Sequence, residues 1–254
     1  MIELLQHSFP QVPMNLALEE VLLAPFSHRE APPLLRIWNN SEPCIILGRS
    51  EKPDQQVDQL KAGILNIPIY RRTSGGGTVL HGPGNINISF FLPYSFHPEL
   101  KSIKRSYGLI LSWVCESLEK SCGIKPDIQG DSDLAIHGKK ISGTAQARKR
   151  FGLLHHMTLL LDDRLLTLLD SLQEPQRRPT YRGNRTHQQF VTSLQAHGCP
   201  VFPMDFFVQQ LCKPFGGSHP HSLIEQELQA VSLLALGKYS QAHWNMMGKE
   251  THQI

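Results

Sequence analysis

Apolar positions along the chain fall into two rhythms. Helical spacing appears first at residues 13–25, where Met14, Leu16, Leu18, Val21, Leu22 and Leu23 surround Asn15, Glu19 and Glu20, and predicts an amphipathic helix with a broad apolar face. Residues 102–122 repeat the spacing with Ile103, Tyr107, Ile110, Leu111, Val114 and Leu118, and Gly123 is a natural stop. Residues 223–237 predict a further helix ending at Gly237, with shorter helical pieces at 57–62 (stopped by Gly63), 163–172, 190–194 and 204–211.

The second rhythm is that of strands. Residues 34–38 and 44–47 are short apolar runs separated by Asn39-Asn40-Ser41-Glu42-Pro43, which predicts a strand, a turn and a second strand closed by Gly48-Arg49-Ser50. Residues 67–71 enter a glycine-rich turn and residues 85–92 leave it, both as strands. Residues 133–136 and 140–142 flank a tight hairpin at His137-Gly138-Lys139, and residues 153–161 add a strand. Residues 175–187 are basic, rich in turn formers and poor in apolar side chains, and predict a loop. Helices and strands alternate without strict order and without internal repeats. The pattern predicts one α+β (mixed α/β) domain over residues 1–254.

Composition narrows the class. A chain of 254 residues with 40% hydrophobic and 19% charged residues has the make-up of a globular domain with a substantial core. The net charge of +3 does not provide the concentrated basic face of a nucleic-acid binder. Five scattered cysteines without Cys-x-x-Cys spacing argue against a disulfide framework or a structural zinc site. The N-terminus does not read as a signal peptide, and no apolar run is long enough to span a bilayer. The expectation is a cytoplasmic protein with neither nucleic acid nor membrane as partner.

Candidate chemistry is concentrated in three places. Residues 70–89 read Tyr-Arg-Arg-Thr-Ser-Gly-Gly-Gly-Thr-Val-Leu-His-Gly-Pro-Gly-Asn-Ile-Asn-Ile-Ser. Three consecutive glycines are entropically expensive, and are placed where backbone bends sharply or lies against a ligand. Bare N–H groups beside arginines suit a phosphate or carboxylate. The second place is His137-Gly138-Lys139-Lys140-Ile141-Ser142-Gly143-Thr144-Ala145-Gln146. Here Lys140 can bridge two anionic oxygens while Lys139 stays solvated. The third is His155-His156-Met157-Thr158. Neighbours on a strand point to opposite faces, so a pocket lining or a satisfied core histidine is expected rather than a metal pair.

In this order the three motifs resemble those of the lipoate–protein ligase A family, within the biotin/lipoate A/B protein ligase superfamily. The likeness runs from Asn15-Leu16-Ala17-Leu18-Glu19-Glu20 to Lys238-Tyr239 and Trp244-Asn245. It implies a catalytic domain like that of class II aminoacyl-tRNA synthetases, a mixed sheet flanked by helices. It also implies a two-step reaction in which lipoate or octanoate and ATP, with Mg²⁺, form an acyl-adenylate, and a lysine of an acceptor domain then takes the acyl group. The acceptor would be a lipoyl domain of a 2-oxoacid dehydrogenase complex or the glycine-cleavage carrier protein. By the family pattern Arg72, Ser74, Gly75, Gly76 and Gly77 line the adenylate and acyl pocket, and His81 and Asn85 contact the nucleotide-phosphate side. Lys140 bridges the lipoyl carbonyl and the α-phosphate. Gly143, Ala145, His156 and Thr158 form further wall, and Asp133 helps to hold Mg²⁺. An apolar tunnel for the acyl chain would draw on Val79, Leu80 and nearby strand residues.

The chain departs from that pattern in several places. Glu51 puts a charge near the presumed acyl entrance, His81-Gly82-Pro83-Gly84 is a feature of the octanoyltransferase branch, Ser132 precedes Asp133, and Met157 follows the histidine pair. The further C-terminal domain of many such ligases is expected to be missing, with a separate small accessory protein as one way of supplying it. The alternative is an ATP-independent octanoyl or lipoyl transferase working through a cysteine thioester, for which Cys122 is the nearest candidate to Lys140. A catalytically silent carrier-binding protein is a third reading. The basic residues 177–185 are read equally as a solvated loop or as a contact for an acidic acceptor or for phosphates.

Overall fold

Unbroken apolar runs need cover on both faces, and that requirement shapes the molecule. The computed structural model describes residues 1–175 and 178–249. Its strands are β1 (Ile2–Gln6), β2 (Leu34–Trp38), β3 (Cys44–Leu47), β4 (Ile69–Arg71), β5 (Val79–His81), β6 (Asn85–Pro93), β7 (Asp127–Gln129), β8 (Asp133–Ile136), β9 (Lys139–Arg148), β10 (Gly152–Leu160) and β11 (Ser218–Pro220). Its α-helices are α1 (Val12–Leu23), α2 (Pro53–Gln56), α3 (Gln59–Ile64), α4 (Ile103–Cys122), α5 (His187–Phe190), α6 (Met204–Cys212), α7 (Glu225–Leu234) and α8 (Ala242–Met247). Among the described residues the strands form an eight-stranded mixed sheet, β11-β1-β2-β6-β10-β9-β8-β7, and a three-stranded sheet, β4-β3-β5.

All nine residues of β6 are buried. Ile86, Ile88, Phe90 and Leu92 meet Ile110, Leu111, Val114 and Leu118 of α4 and Phe207 and Leu211 of α6. Each such side chain contributes about 1.5–3 kcal/mol by leaving water. On the opposite face Phe91 and Leu154 pack with α1, α7 and Trp244 of α8. The alternate positions Asn87 and Ser89 of β6, and His156 and Thr158 of β10, point to that same face. Helix α4 has the ends its sequence predicts: the Ser102 hydroxyl accepts from Arg105 N, and Gly123 takes a left-handed φ of 70° while its N–H bonds Glu119 O. No helix among the described residues is long and apolar enough to cross a membrane.

Several expectations change. Residues 34–38 and 44–47 are strands, but they do not pair: β2 lies between β1 and β6, and β3 is the centre of the small sheet. A run buried on both faces has no alternation to reveal its partner. Residues 190–194 are not helical beyond Phe190; Val191 bridges to Lys140 instead. Residues 163–172 contain only a 3₁₀ segment, Leu166–Ser171. Gly237 does not stop the last long helix, which continues as a π turn, Ala235–Tyr239, anchored by Tyr239 and Lys238 on the Glu20 carboxylate. The predicted basic loop is tied down where it is described. Arg182 is buried on Phe190, and Arg185 donates to Gly138 O in the β8–β9 hairpin; Arg177 falls outside the described residues.

Candidate functional site

The site lies on the sheet face that carries the polar alternates of β6, β9 and β10. His156 stands opposite Ser89 on one side and Ala145 on the other, and Thr158 opposite Asn87 and Gly143. The two β9 residues are small, which leaves room above the sheet. His155, one residue from His156, points to the other face, where its Nδ1 meets the Gln146 amide. The pair therefore cannot chelate one ion, as the strand period requires.

The β8–β9 hairpin turns at His137 and Gly138, both left-handed, with φ of 48° and 73°. Leu134 pairs with Ser142 but Ala135 with Lys140, so β9 carries one extra residue. Lys140 and Gly143 are three apart and would face opposite ways on an unbroken strand. The bulge lets both line the cleft. Lys139 is exposed, whereas Lys140 Nζ is held 2.8 Å from Asp133 Oδ1, and the Tyr181 hydroxyl donates to Asp133 Oδ2 at 2.9 Å.

The glycine-rich turn connects β4 to β5 above this floor. Arg72 is buried inside it: Nε donates to Ser74 Oγ at 2.9 Å, and Nη2 to Gly75 O at 2.6 Å and Gly77 O at 2.7 Å. Burial lowers its pKa to about 10, against the pull of Glu19, so it remains a cation at neutral pH. Ser74 Oγ also lies 2.6 Å from His156 Nε2, and His156 Nδ1 donates to Glu19 Oε2 at 2.8 Å. One chain of contacts thus joins the turn to β10 and α1.

Two adjoining cavities open here. The first is lined by Leu16, Trp38, Ile46 and Val79 together with Glu19, Arg72, His81, Asn87 and His156. The second has an apolar wall of Leu80, Leu165, Leu166, Leu169, Leu172 and Phe190, joined by Arg182 and His187. Gly77, Thr78, Val79, Lys140, Gly143 and Thr158 line both. Lys140 therefore stands where the two cavities meet.

The predicted site residues separate into three groups. Arg72, Gly76, Gly77, His81, Gly143, Ala145, His156, Thr158, Asp133 and Lys140 line the first cavity. Ser74 and Gly75 are outside the lining and act through Arg72 and His156. Asn85 lines neither cavity: its side chain accepts from Gly82 N and donates to Leu80 O, bracing the turn before β6. His81 lies within the first cavity, edge-on to Trp38 with ring centres 5.7 Å apart. Burial and the Arg72 charge push its pKa down to about 3, so it is neutral at pH 7. Val79 and Leu80, expected along an acyl tunnel, divide: Val79 lines both cavities and Leu80 only the second. Glu51 lines neither. Asp133 is engaged by Lys140 and Tyr181, and no group of three or more His, Cys, Asp and Glu able to hold a metal ion occurs among the described residues.

Glu19, Trp38 and Asn87 were not singled out as site residues from the sequence. The signal for Glu19 was available: Asn15 and Glu19 are one helical turn apart within an otherwise apolar stretch, and both are buried. Burial would raise the Glu19 carboxyl, but His156, Arg36 and Ser89 bring it down to about 2. A folded-state value below the ordinary 4.5 means that ionised Glu19 adds stability above about pH 4.5, which is lost as the pH falls towards 2. Glu19→Gln is expected to lower the melting temperature at pH 7 and to flatten its decline between pH 4.5 and 2, read by circular dichroism.

Gly48 is required by close approach. A Cβ there would lie 1.8 Å from Gly76 O, so the glycine turn would have to move. Gly48→Ala is expected to reduce turnover about a hundredfold, the scale for a displacement near 1 Å in a positioned site, while the chain stays folded in a thermal melt.

A mixed sheet floored with small residues, Lys140 between two cavities and Arg72 buried in a glycine-rich turn together form the candidate site. The chain belongs to the lipoyl protein ligase A/B catalytic domain family, whose model matches residues 11–216. A probable lipoate-protein ligase A of Mycoplasma pneumoniae is 28% identical over 234 residues, 91% of this chain and 67% of that protein. An octanoyltransferase LipM of Kyrpidia tusciae is 26% identical over 258 residues, 91% of this chain and 93% of that protein. Among solved structures, the bi-partite lipoate protein ligase of Thermoplasma acidophilum, described with its E2 lipoyl domain, superposes with a TM-score of 0.83 at 23% identity, covering 100% of this chain and 99% of its own. A lipoate-protein ligase A bound with ATP gives 0.78 at 23% identity, covering 96% and 98%.

Proposed function

We propose that this chain is an ATP-dependent lipoate–protein ligase. The observation that carries the reading is the position of Lys140, on the border of two cavities of different character, without a cysteine beside it. A carboxylate and an α-phosphate brought from the two sides would meet at its ammonium. In the first step a carboxylate oxygen of lipoate bonds to the α-phosphorus of ATP and pyrophosphate leaves. In the second, the ε-amine of an acceptor lysine bonds to the acyl carbon, AMP leaves and the amine loses a proton. Neither step uses a nucleophilic side chain of the enzyme, so fixed cations and dipoles at the developing charge are what the chemistry requires.

Each residue then has a task. Lys140 stabilises the charge on the reacting oxygens, and Asp133 with Tyr181 keeps its ammonium in place. Arg72 holds the glycine turn closed over the acyl cavity and adds positive potential. Trp38, Leu16, Ile46 and Val79 take the acyl chain, and the leucine-rich second cavity takes the nucleoside. Magnesium would be carried by the nucleotide's phosphates with few protein ligands, as is usual for this ion, and Asp133, which lines the first cavity beside Lys140, is the carboxylate that would face it. The acceptor is proposed to be a lipoyl domain or the glycine-cleavage carrier.

The transferase reading requires a thiolate beside Lys140. None of the five cysteines lines either cavity. Cys44 is buried and its thiol pushed up to about 12. Cys115, Cys122, Cys199 and Cys212 belong to the core between the large sheet and α4 and α6. The deciding experiment incubates the protein with lipoate, Mg²⁺-ATP and a lipoyl domain, following pyrophosphate and acceptor mass. Lipoate-dependent pyrophosphate and a lipoylated acceptor are expected. Transfer from an octanoyl carrier without ATP, abolished by Cys122→Ala, would overturn the assignment.

A further inference from the structure

The net charge of +3 conceals an uneven distribution. Two segments far apart in the chain, residues 101–105 at the start of α4 and residues 148–150 in the β9–β10 turn, meet at one corner of the large sheet. Arg148 joins them: Nη2 donates to Leu100 O, and Nη1 donates to Ser106 Oγ at 3.3 Å. Its guanidinium lies over the Tyr94 ring, 5.0 Å from the centroid, and the Tyr94 hydroxyl donates to Lys149 O at 3.0 Å. Around it Lys101, Lys104, Arg105, Lys149 and Arg150 are exposed. None of them forms an ion pair among the described residues. Glu99, the nearest carboxylate in sequence, is exposed and pairs with no cation, and Glu30 instead accepts from Ser95 Oγ at 2.7 Å.

Such a concentration is unfavourable for the chain by itself. Like charges repel, and Lys104 and Arg105 stand in the first turn of α4, where the helix end already carries positive charge and no acidic side chain offsets it. An acidic surface laid on the corner would relieve both. The corner is also connected to the site. Among the described residues β8 pairs with β9 only as far as Ser142, so residues 143–148 form a margin of the sheet. Thr144 and Ala145 of that margin line the first cavity, and Arg148 ends it within the patch. At about 3.3 Å per residue, Arg148 is about 10 Å along the strand from Ala145 and about 26 Å from Lys140. A folded domain of about 100 residues has a radius of gyration of about 13 Å and so spans that distance.

We propose that this corner docks the acyl acceptor through an acidic face of that protein, while the target lysine reaches the cavity junction at Lys140. The inference rests on the reading of the chain as an acyl-transferring enzyme with a protein acceptor. Exposed charges at the rim of an interface act chiefly on the rate of encounter, and the reaction of lipoate with ATP needs none of them. The cavity beside the patch, and not the charge alone, selects a protein with a modifiable lysine over a nucleic acid.

The test follows acylation of an apo lipoyl domain or the apo glycine-cleavage carrier, whichever the wild type modifies, at saturating lipoate and Mg²⁺-ATP. K101E/K104E/R105E is compared with the wild type and with K61E/K125E/K213E, which makes the same charge change at exposed positions elsewhere. The first variant is expected to raise KM for the acceptor about tenfold at low ionic strength, the low end of electrostatic steering. Its kcat, and its pyrophosphate release without acceptor, should match the wild type. The rise should shrink in about 0.5 M salt, where charges are screened over a shorter distance. K149E/R150E, on the other segment, is expected to act in the same direction. Acceptor KM within about twofold of the wild type in both patch variants, or an equal rise in the control, overturns the proposal. So does binding of an RNA or DNA oligonucleotide that the patch variants abolish while acceptor KM stays constant. A wild type that releases no pyrophosphate with lipoate would overturn the ligase reading. Binding of the apo acceptor, measured by calorimetry and weakened by K101E/K104E/R105E, would still support docking at this corner, and binding that the variant leaves intact would overturn it.

Discussion

Lys140→Ala is expected to reduce lipoate-dependent pyrophosphate release about a thousandfold, with the upper end of the range reported for removing one preorganised charge-stabilising group as the scale. Such a group acts on charge that develops between the reactants, so the loss falls on turnover more than on lipoate affinity. The variant should remain folded. Asp133 keeps the Tyr181 hydroxyl as partner, and the Lys140 side chain reaches into a cleft rather than filling a core. Single-turnover adenylate formation, followed with radiolabelled ATP, is the direct measurement. Full activity in K140A would remove Lys140 from the mechanism and, with it, the observation on which the proposed function stands.

Arg71→Ala is expected to give the largest loss of stability, about 3–5 kcal/mol, the range for leaving buried polar groups without their charged partner. Arg71 is 1% exposed and lines neither cavity. Its guanidinium gathers carbonyls from two distant segments: Gly48, Arg49 and Glu51 on one side, and Trp244, Asn245 and Met246 of α8 on the other. Its backbone N–H donates to Asn245 Oδ1, and Trp244 Nε1 donates back to Arg71 O. Removing it frees α8 and the segment that carries Gly48, against which Gly76 is packed. A fall of about 10 °C in melting temperature follows for a chain of this size, measured by calorimetry or circular dichroism. A variant that melts within 2 °C of the wild type, a margin set on the same scale, would contradict this account of the latch.

The two neighbouring arginines show where sequence reading reaches its limit. Arg71 and Arg72 look alike in the motif, and both were candidates to lead into an anion site. Both are buried, and their partners separate them: Arg71 latches α8 to the Gly48 segment, and Arg72 is the inner brace of the glycine turn with one edge on the cavity. The choice depends on α8, 173 residues away in sequence, whose residue pattern does not mark it as a helix. Asn85 was likewise drawn to the site by its motif, while Asn87, two residues on and on the same face of β6, is the one that reaches the cavity. The difference is that Asn85 sits where the turn needs its side chain.

What the sequence determined by itself was local and chemical. The helix at Ile103–Cys122 with its glycine stop, the His137–Gly138 hairpin and the separation of His155 from His156 all follow from periodicity and turn chemistry. The motif order also pointed to the family that the chain belongs to. The tertiary structure alone decided which apolar runs pair, because β2 and β3 are buried on both faces and carry no alternation to mark a partner. It alone brought Glu19 and Trp38 to the cavity and put the bulge in β9 that turns Lys140 and Gly143 the same way. These are long-range facts: each depends on which groups, far apart in the chain, exclude water from one another.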